Sequence, residues 1–149
     1  RSKAEHELML KIEEELMQAL KLPYRVAQLA TGDLAQPSAV TFDIEAWLPG
    51  QNDGNGQYRE THSSSNTTDF QARRLNVRVR RASGEVGYAH LLNGTAVAIG
   101  RMIIAIIENC QKKDGTIAVP KALQEYLGFT TIPQKPAEPP KRKTRTKKS

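Results

Sequence analysis

Leu8, Met9, Ile12, Leu16, Ala19 and Leu20 recur at three- and four-residue spacing, with Glu13 to Glu15 between them. That pattern predicts an amphipathic helix whose acidic residues face water. Ser2 and Glu5 have the form of a capping box at its start, and Lys21 and Pro23 close it. Tyr24 to Leu29 reads as a strand, and Thr31-Gly32-Asp33 as a turn. From Val40 to Leu48 the alternation is strict. It sets Val40, Phe42, Ile44, Ala46 and Leu48 on one face and Thr41, Asp43, Glu45 and Trp47 on the other. A polar, glycine-rich loop follows from Pro49 to Gln57, and Tyr58 begins a second extended stretch, which makes the two strands expected antiparallel neighbours. Further on, the pattern predicts a helix over 67–78, a turn at Ser83-Gly84-Glu85 and a strand from Tyr88 to Leu92. Arg101 to Gln111 reads as a buried helix, Ile117 to Val119 as a short strand, and Pro120 opens a last helix that ends at Gly128. Antiparallel strands with interspersed helices give an α+β fold, an antiparallel sheet flanked by helices, over 1–128. The proline- and lysine-rich stretch 129–149 is expected to be disordered.

Charge changes this picture only at the end of the chain. The 149 residues carry a net charge of +6, and residues 133–149 hold seven basic side chains against one acidic, 7 − 1 = +6. Residues 1–132 therefore carry 15 basic and 15 acidic groups and are neutral. Cys110 has no partner for an internal disulfide, and the apolar run from Met102 to Ile107 is far too short to span a bilayer. A reduced compartment such as the cytoplasm, with no membrane partner, is the expectation. Arg1 in place of an initiator methionine suggests part of a longer protein.

Four segments stand out as candidates for chemistry, of which the charged helix start Asp69-Phe70-Gln71-Ala72-Arg73-Arg74 reads on its own as a surface helix. On the strand from Thr41 to Trp47, acidic and aromatic side chains share a face, as they would on an ordinary solvated strand. In Tyr58-Arg59-Glu60-Thr61-His62-Ser63-Ser64-Ser65-Asn66, a carboxylate lies beside a run of hydroxyls. Oxygen ligands at Glu60 and Ser63 suit Mg²⁺, which takes few protein ligands and leaves positions for phosphate oxygens. Simple alternation sets Glu60 and Ser63 on opposite faces, and a bulge or turn after Glu60 is needed to bring them together. In Asn93-Gly94-Thr95-Ala96-Val97-Ala98-Ile99-Gly100-Arg101, small residues permit close approach of a ligand. Arg101 there needs either a carboxylate partner or a phosphate or aromatic base.

Taken in order, Leu22-Pro23-Tyr24-Arg25-Val26, Thr31-Gly32-Asp33-Leu34, Phe42 to Pro49, Tyr58-Arg59-Glu60, Asp69 to Asn76 and Leu92 to Arg101 resemble seryl-tRNA synthetase, a class II aminoacyl-tRNA synthetase. Glu108-Asn109, Asp114-Gly115 and the Val119-Pro120 helix continue the resemblance, which runs from about residue 5 to Gly128. It implies an ATP-dependent serine–tRNA ligase with ATP, L-serine and tRNA(Ser) as substrates, Mg²⁺ as cofactor and a homodimer in the full-length protein. By that resemblance Arg101 is the third-motif arginine that contacts ATP. Glu60, Thr61, His62 and Ser63 form the ATP-binding run, Glu60 and Ser63 hold the metal, and Thr95 and Asn93 lie against the substrate serine. Catalysis falls to Arg101 and Glu60. The family's first two motifs lie outside this chain, so the 149 residues alone are expected to be inactive. The competing readings are a synthetase-like ligase that loads a carrier protein and a non-catalytic RNA-binding protein.

Overall fold

The computed structural model describes residues 1–134. A 19-residue helix α1 (Ser2–Leu20) leads into β1 (Tyr24–Gln28), β2 (Val40–Leu48) and β3 (Gln57–Asn66). Helix α2 (Phe70–Leu75) precedes a ribbon of β4 (Arg78–Arg80) and β5 (Val86–Tyr88), and the chain then returns to the sheet as β6 (Leu92–Thr95). Helix α3 (Ile99–Cys110), β7 (Ile117–Ala118), α4 (Lys121–Leu127) and β8 (Thr131–Ile132) complete the α+β fold. The main sheet has the order β1-β2-β3-β6, and every neighbouring pair in it is antiparallel.

From Ile44 to Leu48 the alternation along β2 does what the sequence pattern requires, whereas Thr41, placed on the outer face, is buried and Val40 and Phe42 are only half-buried. Ile44, Ala46 and Leu48 are buried and pack with Met17 and Leu22 from the α1 end and Met102 and Ala105 from α3. Both helices therefore cover one face of the sheet, and the face carrying Asp43 and Glu45 is left open.

Several expectations are corrected. Ser2 is not a cap: it is the first helical residue, and its hydroxyl lies 2.8 Å from His90 Nδ1. The stripe of α1 that meets the sheet is His6, Glu13 and Met17, whereas Leu8, Ile12 and Leu16 are exposed. The spacing predicted one apolar stripe and set Glu13 in solvent. The stripe that is buried mixes Met17 of the core with polar groups, and the Ser64 carbonyl of β3 accepts from His6 Nε2 at 3.0 Å. The helix expected over 67–78 is only Phe70–Leu75, ended by Asn76 in the left-handed region at φ 54°. The single strand expected at 88–92 is two pieces in different sheets, β5 and β6. Helix α3 buries Met102 and Ala105 but leaves Ile99, Ile103 and Ile104 exposed, so it is amphipathic and not wholly buried. Within the stretch expected to be disordered from 129, Thr131–Ile132 forms a strand that pairs with Ile117–Ala118; the rest of that expectation, from 135 on, lies outside the described residues. No helix among those residues is long and apolar enough to cross a membrane.

Candidate active site

The open face of the sheet depends on one extra residue. Along β2 and β3, Ile44 opposes His62 but Glu45 opposes Glu60, so Thr61 has no partner and forms a β-bulge. On either side of it the alternation resumes. Asp43 opposes Ser63, and Ser63 in turn opposes Thr95 on β6, while Ser65 opposes Asn93. Cross-strand partners share a face, so Glu60, Ser63, Asp43, Glu45, Thr95 and Asn93 all line the open side. The bulge thus supplies what strict alternation could not.

A bulge frees backbone carbonyls from the ladder, and the start of α3 receives them. The Ala98 amide donates to the Thr61 carbonyl at 2.7 Å, and Arg101 Nη1 donates to the Glu60 carbonyl at 2.7 Å. The same guanidinium nitrogen lies 3.1 Å from Glu60 Oε2, with both side chains near half exposed (49% and 42%). Arg101 therefore holds the bulge and still presents charge to solvent, in a cleft of about 400 Å³ lined also by Glu45, Leu48, Gln51 and Tyr58. Arg25 stacks 4.3 Å over Tyr58 and is ion-paired with Glu45. The far end of the cleft is tied to α3. Glu108 accepts from the Gly50 amide at 2.8 Å and from Gln51 Nε2 at 3.1 Å, and Asn109 donates to the Trp47 carbonyl at 2.8 Å.

Thr61 and His62, expected in the ATP-binding run, have fully buried side chains (0% each). Thr61 donates its hydroxyl to the Ile44 carbonyl at 3.1 Å and lies 3.0 Å from His62 Nδ1, and burial pushes the imidazole below its ordinary pKa. These two side chains lie in the core, so any contact of theirs with a ligand on the open face would be through the backbone at the bulge. Asp43 was singled out from the sequence only as one of a row of acidic residues on a solvated face. Here it is half-buried beside Ser63, and its Oδ1 has no hydrogen-bond partner among the described residues. Burial holds its carboxyl above the usual range. Ser63 draws it down, Glu60 and Glu45 push it further up, and Arg101 lowers it. The signal that could have found Asp43 was its place two residues from Glu45 on a strand whose register was unknown.

The arrangement offers hard oxygen donors at Glu60, Ser63 and Asp43 beside the cation of Arg101, a donor set for a metal-bound polyanion. It does not form a closed cage: no cluster of three or more His, Cys, Asp or Glu among the described residues could hold a metal by itself. Nor does the face carry a histidine or cysteine nucleophile. His6 and His62 lie beneath the sheet, His90 pairs with Ser2, and burial pushes the Cys110 thiol up.

Gly94, between Asn93 and Thr95, packs closely over α1. A Cβ there would lie 2.8 Å from Met9 Cε and 3.3 Å from Glu13 Oε1. Gly94→Ala is expected to destabilise the chain by less than about 1 kcal/mol, because the atom in its way is the terminal methyl of the flexible Met9 side chain, which can turn aside without moving α1; urea unfolding measures it, and a loss of several kcal/mol would mean that Met9 is locked in place.

Comparison with known proteins agrees with the geometry. The family model of the tRNA synthetase class II core domain (G, H, P, S and T) matches residues 1–110. A serine–tRNA ligase of Dictyoglomus thermophilum is 54% identical over 130 residues, 87% of this chain and 30% of the relative. One from Pyrococcus furiosus is 51% identical over 128 residues, 85% of this chain and 27% of the relative. The crystal structure of seryl-tRNA synthetase from Pyrococcus horikoshii complexed with ATP aligns with a TM-score of 0.81 at 49% identity, covering 88% of this chain and 29% of that one. A cytoplasmic serine–tRNA ligase of Naegleria fowleri in complex with AMP gives 0.83 at 41% identity, over 91% of this chain and 31% of that one. The chain thus spans about 30% of the length of the curated relatives it matches.

Proposed function

The chain belongs to the class II tRNA synthetase core-domain family, and from that membership we propose that it is the part of a serine–tRNA ligase that holds the ATP phosphates and the serine side chain. The reaction is activation of L-serine by ATP to seryl-adenylate and pyrophosphate, followed by transfer of the seryl group to the terminal ribose hydroxyl of tRNA(Ser). The observation that carries this reading is the Thr61 bulge, which sets Glu60 and Ser63 on the face shared with Thr95 while Arg101 is held at Glu60. ATP is also the ligand of one solved relative and AMP that of another.

Each side chain has a stated part. Arg101 donates to the triphosphate and takes up charge as the bond to pyrophosphate breaks. Glu60 fixes the guanidinium before ATP arrives, so little reorganisation is needed during reaction. Glu60 and Ser63, with Asp43 adjacent, are the residues that would hold Mg²⁺, which neutralises phosphate charge when bound. Thr95 and Asn93 lie one residue to either side of Gly94 and receive the serine hydroxyl. Such chemistry needs positioning and charge neutralisation and no covalent nucleophile. A homodimer in the cytoplasm is the proposed setting of the whole enzyme.

The test is amino-acid-dependent ATP–pyrophosphate exchange, run on this chain alone and on a chimera in which it replaces its counterpart in the Dictyoglomus ligase. Exchange with serine alone, in the chimera only, is the expected outcome. Exchange with a different amino acid, followed by loading of a carrier protein, would replace the reading with a carrier ligase. Thr95→Val in the chimera is expected to lower kcat/KM for serine by roughly 10–100-fold: Thr95 is exposed on β6 in this chain, and a bound serine that covers it would leave its own hydroxyl without a partner. Alanine activation should change little. Equal losses for serine and alanine would remove Thr95 from the serine subsite.

A further inference from the structure

The charge of the described chain is not spread evenly. Between 69 and 90 there are five arginines, no lysine and two acidic residues, a net +3; the remainder of 1–132 holds 10 basic and 13 acidic groups, a net −3. Strand pairing then sorts these arginines. Arg78 opposes Tyr88 and Arg80 opposes Val86, so these four share one face of the β4–β5 ribbon, with Val79 on the other. The guanidinium of Arg78 lies 5.3 Å from the Tyr88 ring centre, and that of Arg73, from α2, lies 5.1 Å from the same ring. Among the described residues, Arg73 and Arg81 have carboxylate partners, and Arg74, Arg78 and Arg80 have none. The charge of Arg73 is already met by Asp69, so Arg78 and Arg80 are the cations of this face that a polyanion would find unpaired among the described residues.

The ribbon is anchored to the candidate serine subsite. The Ala89 amide donates to Val77 at 3.2 Å, the Leu91 amide to Thr68 at 2.8 Å and the Thr67 amide to Leu91 at 3.0 Å, so the ladder runs from the ribbon into β6, which carries Asn93 and Thr95. All three residues of β4 are exposed. A flat exposed strip lacks the enclosure that a small anion needs, but it suits an extended chain of phosphates. Arginine rather than lysine favours bidentate phosphate contacts and guanidinium planes on which bases stack.

We propose that the Arg78–Arg80 face of the β4–β5 ribbon, with Tyr88 and the adjacent Arg73 of α2, binds the phosphodiester backbone of an RNA whose 3′ end enters the site beside Thr95. This rests on the ligase reading for the identity of the RNA and on the ribbon alone for its binding chemistry.

The experiment compares the full 149-residue chain with its Arg78→Ala/Arg80→Ala and Arg78→Lys/Arg80→Lys variants, each checked by circular dichroism. Binding of fluorescein-labelled tRNA(Ser) transcript is followed by anisotropy across salt. All three proteins share the same basic tail, so its contribution cancels. The alanine variant is expected to bind about tenfold more weakly at ~0.1 M salt, with the log–log salt slope shallower by roughly 1.5, the value for two lost phosphate contacts. The lysine variant keeps the slope and loses part of the affinity. Affinity and slope equal to the parent's in the alanine variant would overturn the proposal. So would RNA binding that stays intact while binding to phosphatidylserine vesicles falls, which would make the ribbon a membrane surface. In the chimera the alanine variant should leave serine-dependent exchange unchanged, and a loss there would assign the ribbon to the activation step instead. If the parent chimera shows no exchange at all, the ligase reading fails, and the RNA titration still decides the surface.

Discussion

Arg101→Ala is expected to lower serine-dependent pyrophosphate exchange of the chimera by about 10³-fold while leaving the fold intact. The two halves of that expectation have separate grounds. The ion pair of Arg101 with Glu60 spans 3.1 Å, but both side chains are near half exposed. Pairs of that kind contribute about 0–1 kcal/mol to stability. Loss of the guanidinium also leaves the Glu60 carbonyl without that donor at a solvated edge, where water replaces it. Unfolding midpoints of parent and variant should therefore agree within that margin. Activity has no such substitute, because the guanidinium is the cation already placed at the candidate phosphate site. Arg101→Lys is expected to recover only part of the rate, since a point charge cannot reach the carbonyl and carboxylate of Glu60 and a phosphate at once. Exchange within threefold of the parent in the alanine variant would show that Arg101 is only a clasp on the bulge. Loss of exchange accompanied by an equally large fall in stability would likewise assign it a structural role.

Glu13→Gln is expected to stabilise the chain by roughly 2 kcal/mol at pH 8 and hardly at all near pH 5. Glu13 is buried beneath β3 and β6, and its Oε2 has no partner among the described residues. Burial raises its pKa from 4.5 to about 7; the Ser64 hydroxyl offsets part of the rise and the charge of Asp43 adds to it. An acid with a raised pKa binds more protons in the folded chain than in the unfolded one. Stability therefore falls as pH rises from about 4.5 to about 7 and stays low above that. The full displacement corresponds to about 3 kcal/mol, and the smaller figure allows for relaxation around an ionised side chain. Glutamine keeps the shape and cannot ionise. The depressed imidazole of His62 acts in the opposite direction, so the parent's own profile is a sum, and the difference between the two proteins isolates Glu13. Urea unfolding at pH 5 and pH 8 gives that difference. The same value at both pH settings would mean that Glu13 is not the titrating group.

How much of this was legible in the sequence differs from element to element. The alternation along Val40–Leu48 determined a half-buried strand and, from Ile44 to Leu48, its inward residues, because a period of two has only one solution on a pleated sheet. The ordered motifs from Tyr24 to Arg101 carried the family likeness, and with it Glu60, Ser63, Thr95 and Arg101 as candidates. The 3.6-residue period of α1 picked out a stripe through Leu8, Ile12 and Leu16 that is exposed, and the stripe that is buried contains the Glu13 that spacing assigned to water. Nor did local pattern reveal the Thr61 bulge, since an unpaired residue is defined by what its neighbouring strand does at Ile44 and Glu45. That one position decides whether Glu60 and Ser63 face together or apart. It also withdraws Thr61 and His62 into the core, and it leaves the carbonyls that draw Arg101 across. Sequence by itself determined which residue types this protein has available for phosphate and serine chemistry. Only the tertiary structure decided which of them share a face, because that depends on strand register and on the helix that packs behind it.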